Sequence, residues 1–455
     1  MKLLDGPRHV HLIGLGGAGM SGIARILLQR GHRVSGSDLR ESRSLDELRV
    51  LGAEVAIGHR PENLADPDAV VISTAVPRDN PELVAARDRG LRLLRRAEML
   101  AELMEDQRAA VIAGTHGKTT TTSMAVVALQ AAGGDPSFAI GAALNESGTN
   151  AHAGSDALFV AEADESDRSF LVFRPDVAVV TNVEHDHPEE FRDADEVHTV
   201  FLDFLDRRAV GAPALICLDD PGAARVAELA REPVVTFGTD ARADLRIVLG
   251  EDGTHRLRKD GEPLVEFSLA VPGRHNVLNA GAALAVCDWA GVDLEAAAEG
   301  LSRFTGAARR FQRLGSVGDV TVVDDYAHHP TELRATLAAA RASETGRIVL
   351  VVQPHRYTRT VALGAELGRA ASAADVVIVT DVYASSEAPI PGVSGRLVAD
   401  AAEDAGANVR YEPHLTDVVD HLVEVARPGD LVLTTGAGDV TQLGPNLLRR
   451  LGGNP

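Results

Sequence analysis

Short apolar runs, each closed by a glycine-rich or polar turn and followed by an amphipathic stretch, recur along the whole chain. The first run, His9-Val10-His11-Leu12-Ile13, leads into Gly14-Leu15-Gly16-Gly17-Ala18-Gly19-Met20 and then a helical pattern from about Ser21 to Arg30. A second strand-like run, His32 to Ser37, ends at Asp38, and Glu54-Val55-Ala56-Ile57 and the run 69–73 follow. Asn80-Pro81-Glu82 reads as a helix start, with proline in the first turn. A charged helix around Arg95 to Arg108 closes this stretch.

The rhythm begins again at Val111-Ile112-Ala113. The runs 157–162 and 177–182 are apolar up to their polar ends at Glu162 and Thr181-Asn182, the mark of parallel strands buried on both faces, whose carboxyl ends collect ligands. Between 240 and 270, alternating segments about Asp252-Gly253 predict an antiparallel hairpin at the margin of the sheet. Alanine-rich helices follow over 277–290 and 294–301. Beyond a boundary near Phe304 to Gln312, strands recur at 320–323, 348–352, 376–380 and 431–434. Alternating strands and helices predict an α/β protein of three consecutive domains, at 1–107, 108–308 and 309–455.

Composition narrows the class. A chain of 455 residues can bury three cores, and its 45% hydrophobic and 24% charged content is that of a globular protein. No run is long and apolar enough to span a bilayer, and Met1-Lys2-Leu3-Leu4-Asp5 leads straight into a strand without a signal-peptide pattern. With Cys217 and Cys287 alone, a reducing, cytoplasmic setting is expected. The formal charge of −21 argues against nucleic-acid partners and anionic membranes. Any phosphate-bearing ligand must therefore be held by local features.

Two such features stand out. Gly14-x-Gly16-x-x-Gly19 after a strand, with Asp38 ending the next, is the fingerprint of a Rossmann-like unit. Its literal reading is NAD; the pattern alone places some phosphate or sugar nucleotide on a helix N-terminus. Gly114-Thr115-His116-Gly117-Lys118-Thr119-Thr120 is a phosphate loop with only two residues between its glycines, shorter than the common form. Lys118 can reach terminal phosphates, and the Thr119 hydroxyl can coordinate Mg²⁺.

Other groups stand at strand ends and carry two readings each. Glu162 is a magnesium ligand or part of a solvated acidic loop. Asp186-His187 holds a second divalent ion or is loop polarity. Tyr326, His328 and His329 beside Asp325 line a cleft or cap a helix before Pro330. Arg356 and Arg359 bind a carboxylate through their planar forks or form an exposed basic turn.

Together these blocks resemble the ATP-dependent Mur ligases of peptidoglycan synthesis, over essentially the whole chain. Gly14 to Gly22 is similar to the nucleotide-sugar loop of that family. Gly114 to Thr120, Glu162-Ala-Asp-Glu-Ser-Asp167, Asn182-x-Glu-x-Asp-His187 and His275-Asn-x-x-Asn279 are similar to its central ATPase domain. Asp324-Asp-Tyr-Ala-His-His-Pro-Thr-Glu332 and Gln353-Pro-His-Arg-Tyr-Thr-Arg359 look like the C-terminal domain of its alanine-adding branch. The resemblance implies a Rossmann-like first domain, a phosphate-loop ATPase-like second and a Rossmann-like third. It implies three small-molecule substrates, ATP, UDP-N-acetylmuramate and L-alanine, joined through an acyl phosphate with release of ADP and phosphate. Closure around ATP about a hinge near Gly306 is a further expectation.

Carried over by position, the resemblance gives Gly14, Gly16, Gly17, Gly19 and Asp38 to the UDP-sugar. It gives Gly114 to Thr120, Asn276, Asn279, Arg310 and Asp325 to ATP. Thr119, Glu162 and His187 fall to Mg²⁺, or Mn²⁺ in its place, and Tyr326, His328, Arg356 and Arg359 to alanine. Lys118, His328 and Arg356 are the candidate catalytic residues, with His328 either accepting the amine proton or only positioning alanine. After His187 the family pattern continues with one residue and Asp, whereas Pro188-Glu189-Glu190 follow here, and Arg168 stands where a small residue is commoner. The alternatives are a relative that reattaches a recycled tripeptide and, more remotely, an NAD-dependent oxidoreductase. Monomer and dimer are both open.

Overall fold

The computed structural model describes residues 3–343 and 346–452. Met1 and Pro455, the expected outer ends of the first and last domains, lie outside the described residues. The first sheet holds β1 (His9–Ile13), β2 (Arg33–Asp38), β3 (Glu54–Ile57), β4 (Ala69–Ile72) and β5 (Leu93–Arg95). All pairs are parallel, in the order β3-β2-β1-β4-β5. The order reverses between β1 and β4, and the glycine loop leaves β1 at that switch point, where open α/β sheets take ligands. β1 is buried throughout, so its two histidines need partners. His9 Nε2 and His11 Nδ1 each meet Ser35 Oγ at 2.8 Å, and His11 Nε2 meets Glu82 at 3.2 Å. Glu82 stands in the first turn of the helix Pro81–Asp88, which Asn80 caps as its sequence predicts.

The second sheet contains β6 (Arg108–Ala113), β7 (Ser137–Ala139), β8 (Ala151–His152), β9 (Leu158–Glu162), β10 (Val177–Val180), β11 (Ala214–Cys217), β12 (Val234–Gly238), β13 (Leu245–Val248), β14 (His255–Lys259) and β15 (Glu262–Phe267). Their order is β15-β14-β13-β12-β11-β10-β6-β9-β7-β8. β6 and β10 lie side by side and almost wholly buried, the reason both read as unbroken apolar runs. At the margin β13 pairs parallel with β12, and β14 and β15 then turn back in succession. The expected single hairpin is therefore a three-stranded meander. Its second turn, Asp260-Gly261, has positive φ at both positions, the form that matches strand twist in a two-residue hairpin.

The third sheet contains β16 (Gln312–Val317), β17 (Val320–Asp325), β18 (Ile348–Val352), β19 (Val376–Val379), β20 (Val409–Tyr411) and β21 (Leu431–Thr435), in the order β16-β17-β21-β18-β19-β20. Only β16 is antiparallel. Alternate residues of β18 and β21 supply the two faces. Leu350 and Leu433 join one core with Leu333, Leu337 and Leu367, and Val349, Val351 and Val432 join the other with Leu443 and Leu447.

All three expected α/β domains with parallel sheets are thus present. The charged helix is shorter than expected, Arg96–Met104, because Arg95 ends β5 and Arg108 opens β6. Charge at those two positions marks the exposed ends of strands. By packing, the chain forms two compact units. One comprises the stretch up to Glu184 with 195–268 and 278–304, and so holds the first two sheets. The other comprises 185–194, 269–277 and the chain from Thr305 onward. No described helix is long and apolar enough to cross a membrane.

Candidate active site

In the first unit, β6 ends at Ala113 and the phosphate loop begins. Gly114 has φ +140° and Gly117 +79°, a conformation that side chains resist. A Cβ on Gly114 would collide with Thr181 Oγ1, and one on Gly117 would come within 2.7 Å of Asn279 Oδ1. The loop is held from outside. His116 N–H donates to Asn182 Oδ1 at 2.7 Å, Thr181 Oγ1 donates to His116 O at 2.6 Å, and His116 Nε2 meets Glu184 at 2.9 Å. Asn279 Oδ1 accepts from Thr121 Oγ1 at 3.1 Å. His116 and Asn279, expected at ATP, brace the phosphate loop in this structure.

Gly117 caps the helix Lys118–Ala131 without any side-chain cap, so the first-turn N–H groups face the loop. Lys118 Nζ donates to Gly114 O at 2.7 Å and Thr115 O at 3.1 Å and pairs with Glu165 Oε2 at 2.7 Å. Burial works against its charge, but Glu165 and Asp164 outweigh that and hold it above its ordinary value. Thr119 Oγ1 lies 2.9 Å from Glu162 Oε1, and Glu162 Oε2 accepts Gly141 N–H at 2.6 Å. A hydroxyl and a carboxylate this close, at a helix N-terminus suited to phosphate, form the hard oxygen set a magnesium ion takes. Thr120 is buried in the same turn.

The glycine loop of the first sheet is built alike. Gly14 and Leu15 N–H both donate to Ser37 O at 2.9 Å, and Gly17 caps the helix Ala18–Gln29 with no side-chain cap and no acid in the first turn. Asp38 is used to close this loop. Its Oδ2 accepts Gly16 N–H at 2.9 Å and its Oδ1 accepts Leu39 N–H at 2.7 Å.

The second unit gathers the third group of residues. Arg359 is 3% exposed and spends its fork on Asp186, with Nε and Nη2 at 2.9 and 3.1 Å from the two carboxylate oxygens. Its Nη1 donates to His355 Nδ1 at 2.9 Å, and His187 Nδ1 lies 3.4 Å from Nη2. Burial pushes the Asp186 carboxyl up, and Arg359 outweighs it, leaving the group well below the usual carboxylate range. Arg356 has φ +66° at the uncapped start of the helix Tyr357–Ala371, and its Nη1 pairs with Glu189 Oε1 at 2.5 Å. The residue that departs from the family pattern thus occupies the arginine expected at alanine. Arg168, the other departure, has φ +56° and pairs with Glu196 at 2.6 Å.

His328 Nδ1 faces two acceptors, Tyr326 O at 3.0 Å and Glu332 Oε2 at 3.4 Å. It therefore carries the proton and leaves Nε2 as the acceptor. The ring packs edge-on against Tyr326 and His355, and burial pushes His328 down to about 4 and His355 to about 3. Asp325 accepts Phe311 and Ala327 N–H at 2.7 Å, and burial raises it to about 6 against the pull of Arg310, whose guanidinium lies over Tyr326. Asn276 Nδ2 donates to Pro272 O at 2.6 Å.

Sequence reasoning gave no role to Glu165 or His355, and marked Glu189 only as a departure from the family pattern. Each lies within a stretch whose neighbours carried the resemblance, but nothing local marks Glu165 as the partner of Lys118 or His355 as the acceptor for Arg359.

Sequence profiles agree with this geometry. Residues 9–108 match the Mur ligase family catalytic domain, 112–287 the Mur ligase middle domain, and 309–438 the Mur ligase glutamate ligase domain. The chain is 52% identical over 450 residues to the UDP-N-acetylmuramate–L-alanine ligase of Acidothermus cellulolyticus, covering 97% of this chain and 94% of that one. Among solved structures, the UDP-N-acetylmuramate–alanine ligase of Thermotoga maritima superposes with a TM-score of 0.81 at 29% identity, covering 97% of this chain and 99% of that one. A murein peptide ligase from Psychrobacter arcticus gives 0.75 at 26% identity, covering 98% and 99%. On the three successive domains, the phosphate loop and full-length identity, the chain belongs to the Mur ligase family.

Proposed function

We propose that this protein joins L-alanine to the carboxylate of UDP-N-acetylmuramate at the expense of ATP, releasing ADP and phosphate. The observation that carries the reading is the 52% identity, over nearly all of both chains, to a ligase named for those two substrates. The reaction runs in the cytoplasm as a step of peptidoglycan precursor synthesis.

The chemical problem is that a carboxylate is a poor electrophile. Transfer of the γ-phosphoryl group to a carboxylate oxygen makes an acyl phosphate. The alanine amine then attacks the acyl carbon, the C–O bond to phosphate breaks, and the amine loses a proton. Lys118 leaves its carbonyl partners and neutralises charge developing on the transferred group, where most catalysis of phosphoryl transfer resides. Thr119 and Glu162 hold Mg²⁺, which when bound offsets phosphate charge. The glycine loop of the first sheet takes the UDP end.

In the second unit Arg356 takes the alanine carboxylate, exchanging Glu189 for it, while Arg359 stays on Asp186 and fixes the wall of the pocket. His328 is neutral at physiological pH and offers Nε2 to the amine proton. His187 is the further metal ligand of the proposal.

Phosphate release with UDP-N-acetylmuramate and a panel of acceptors tests the assignment. L-alanine is expected to give the highest kcat/KM, and a preference for a tripeptide would move the chain to the recycling branch. Lys118→Ala is expected to lower kcat by at least about a hundredfold. Undiminished release would refute the role of the loop.

A further inference from the structure

We infer that Glu387 is a positioning residue for the acceptor amino acid, holding Arg356 in place through the first turn of the helix Tyr357–Ala371. The inference rests on the assignment of Arg356 to the alanine carboxylate proposed above. All the groups it uses lie in the second unit.

Arg356 stands between β18 and that helix with φ +66° and ψ 140°, a backbone that side chains resist. Such a residue keeps its conformation only when its surroundings hold it there. Its carbonyl accepts Thr360 N–H at 3.1 Å and Thr360 Oγ1 at 2.7 Å, and its own N–H donates to Tyr383 O at 2.8 Å. Tyr383 N–H donates to Pro354 O at 2.8 Å, and its ring stacks on His355 with 5.9 Å between centroids. The turn before the helix is thus stitched to the segment that follows β19.

Glu387 belongs to that segment. Asp381 Oδ1 accepts Val382 and Gly395 N–H at 2.8 and 2.9 Å, which closes residues 381–395 into a compact loop. Inside it Ser385 and Ser386 have φ +47° and +73°, and Glu387 N–H donates to Ala384 O at 3.0 Å, the pattern of a type I′ turn. Beyond that turn Glu387 Oε2 accepts Thr358 N–H at 3.1 Å, and Oε1 accepts the Thr358 hydroxyl at 2.6 Å. The helix has no side-chain cap of its own and no acid in its first turn. Of the two arginines at its positive end, Arg359 is paired with Asp186 and Arg356 with Glu189. Glu387 supplies the carboxylate that the helix end itself lacks.

Arg356 is left with a nitrogen to fill. Its Nε is buried and meets no acceptor among the described residues, while Nη1 pairs with Glu189. A carboxylate at the Nε edge of the fork satisfies that nitrogen. Where the fork points follows from the backbone at Arg356, and Glu387 is the charged group that fixes the residue two positions on.

Steady-state phosphate release by the full chain tests this with Glu387→Ala, Glu387→Gln and Arg356→Lys. Glu387→Ala is expected to raise KM for L-alanine about tenfold, with kcat within about twofold and KM for ATP and UDP-N-acetylmuramate unchanged. Glu387→Gln keeps an acceptor for Thr358 N–H and is expected to fall between. An unchanged KM for L-alanine in Glu387→Ala overturns the inference. So does an equal rise for all three substrates, which would make Glu387 a support of the fold alone. Arg356→Lys keeps the charge and loses the planar fork. An unchanged KM for L-alanine in that variant removes Arg356 from the carboxylate, and the assignment above fails with it. A rise in Arg356→Lys without one in Glu387→Ala leaves that assignment standing and takes the role from Glu387.

Discussion

Lys118 is charged and placed before any phosphate arrives, because Glu165 and two loop carbonyls hold its ammonium at the mouth of the helix. Thr119 and Glu162 are similarly preset, and Glu162 is also tied to Gly141 N–H. Glu162→Gln can still accept Gly141 N–H on its carbonyl oxygen and donate its amide to Thr119 Oγ1, but it removes the charge a divalent cation needs. It is expected to raise the Mg²⁺ concentration for half-maximal phosphate release about tenfold or more, with little change in thermal stability. Asp186 and Arg359 make the opposite kind of pair, fully buried and bidentate. Asp186→Asn leaves a guanidinium buried without its counter-charge, at a cost of about 3–5 kcal/mol measurable by urea unfolding. A loss below about 1 kcal/mol would mean that the guanidinium finds another partner or water.

At the scale of elements, the ends of β17 and β18 carry His328 and His355, which burial keeps neutral. Their folded values lie below the ordinary 6.5, so the unfolded chain takes up their protons first as the solution is acidified. Their contribution to stability is complete above 6.5 and is lost as pH falls toward about 4 for His328 and about 3 for His355. Asp186 is depressed instead. Its contribution is present above its ordinary 3.8 and declines only below it. The urea midpoint of the wild type is therefore expected to drop between pH 6.5 and 4. His355→Gln should flatten that slope, and an equal slope in the variant would contradict the assignment.

The elements differ in how far the chain announces them. β6, β10, β18 and β21 read directly because strands buried on both faces are continuous apolar runs. β7 and β8, with three and two residues, carry no period long enough to read. The site divides the same way. The phosphate loop is contiguous, so its glycines, Lys118 and Thr119 are legible together. The Asp186–Arg359 pair joins residues 173 positions apart. The chemistry of each was visible in the sequence, but their mutual use was not. A carboxylate-binding fork was expected of Arg359, and the carboxylate it binds is one of the protein's own.

For the molecule as a whole, a formal charge of −21 sets a general repulsion against two anionic substrates, which the proposed site would have to overcome locally through helix N-termini, Lys118 and the arginines. Salt screens that repulsion, so moderate ionic strength is expected to speed association of UDP-N-acetylmuramate in stopped-flow measurements. A slower association at higher salt would show that local positive charge governs the approach.

The division of the chain into two units has a consequence for its ancestry. The polypeptide passes from one unit to the other after Glu184, Ala194, Ser268, Val277 and Phe304. A gene fusion that joined two relatives at the last of these points would take Arg359 from one parent and Asp186 from the other. The second unit is thus inherited in three pieces, and a working hybrid must carry all of them from the same parent or from two parents whose buried pairs agree.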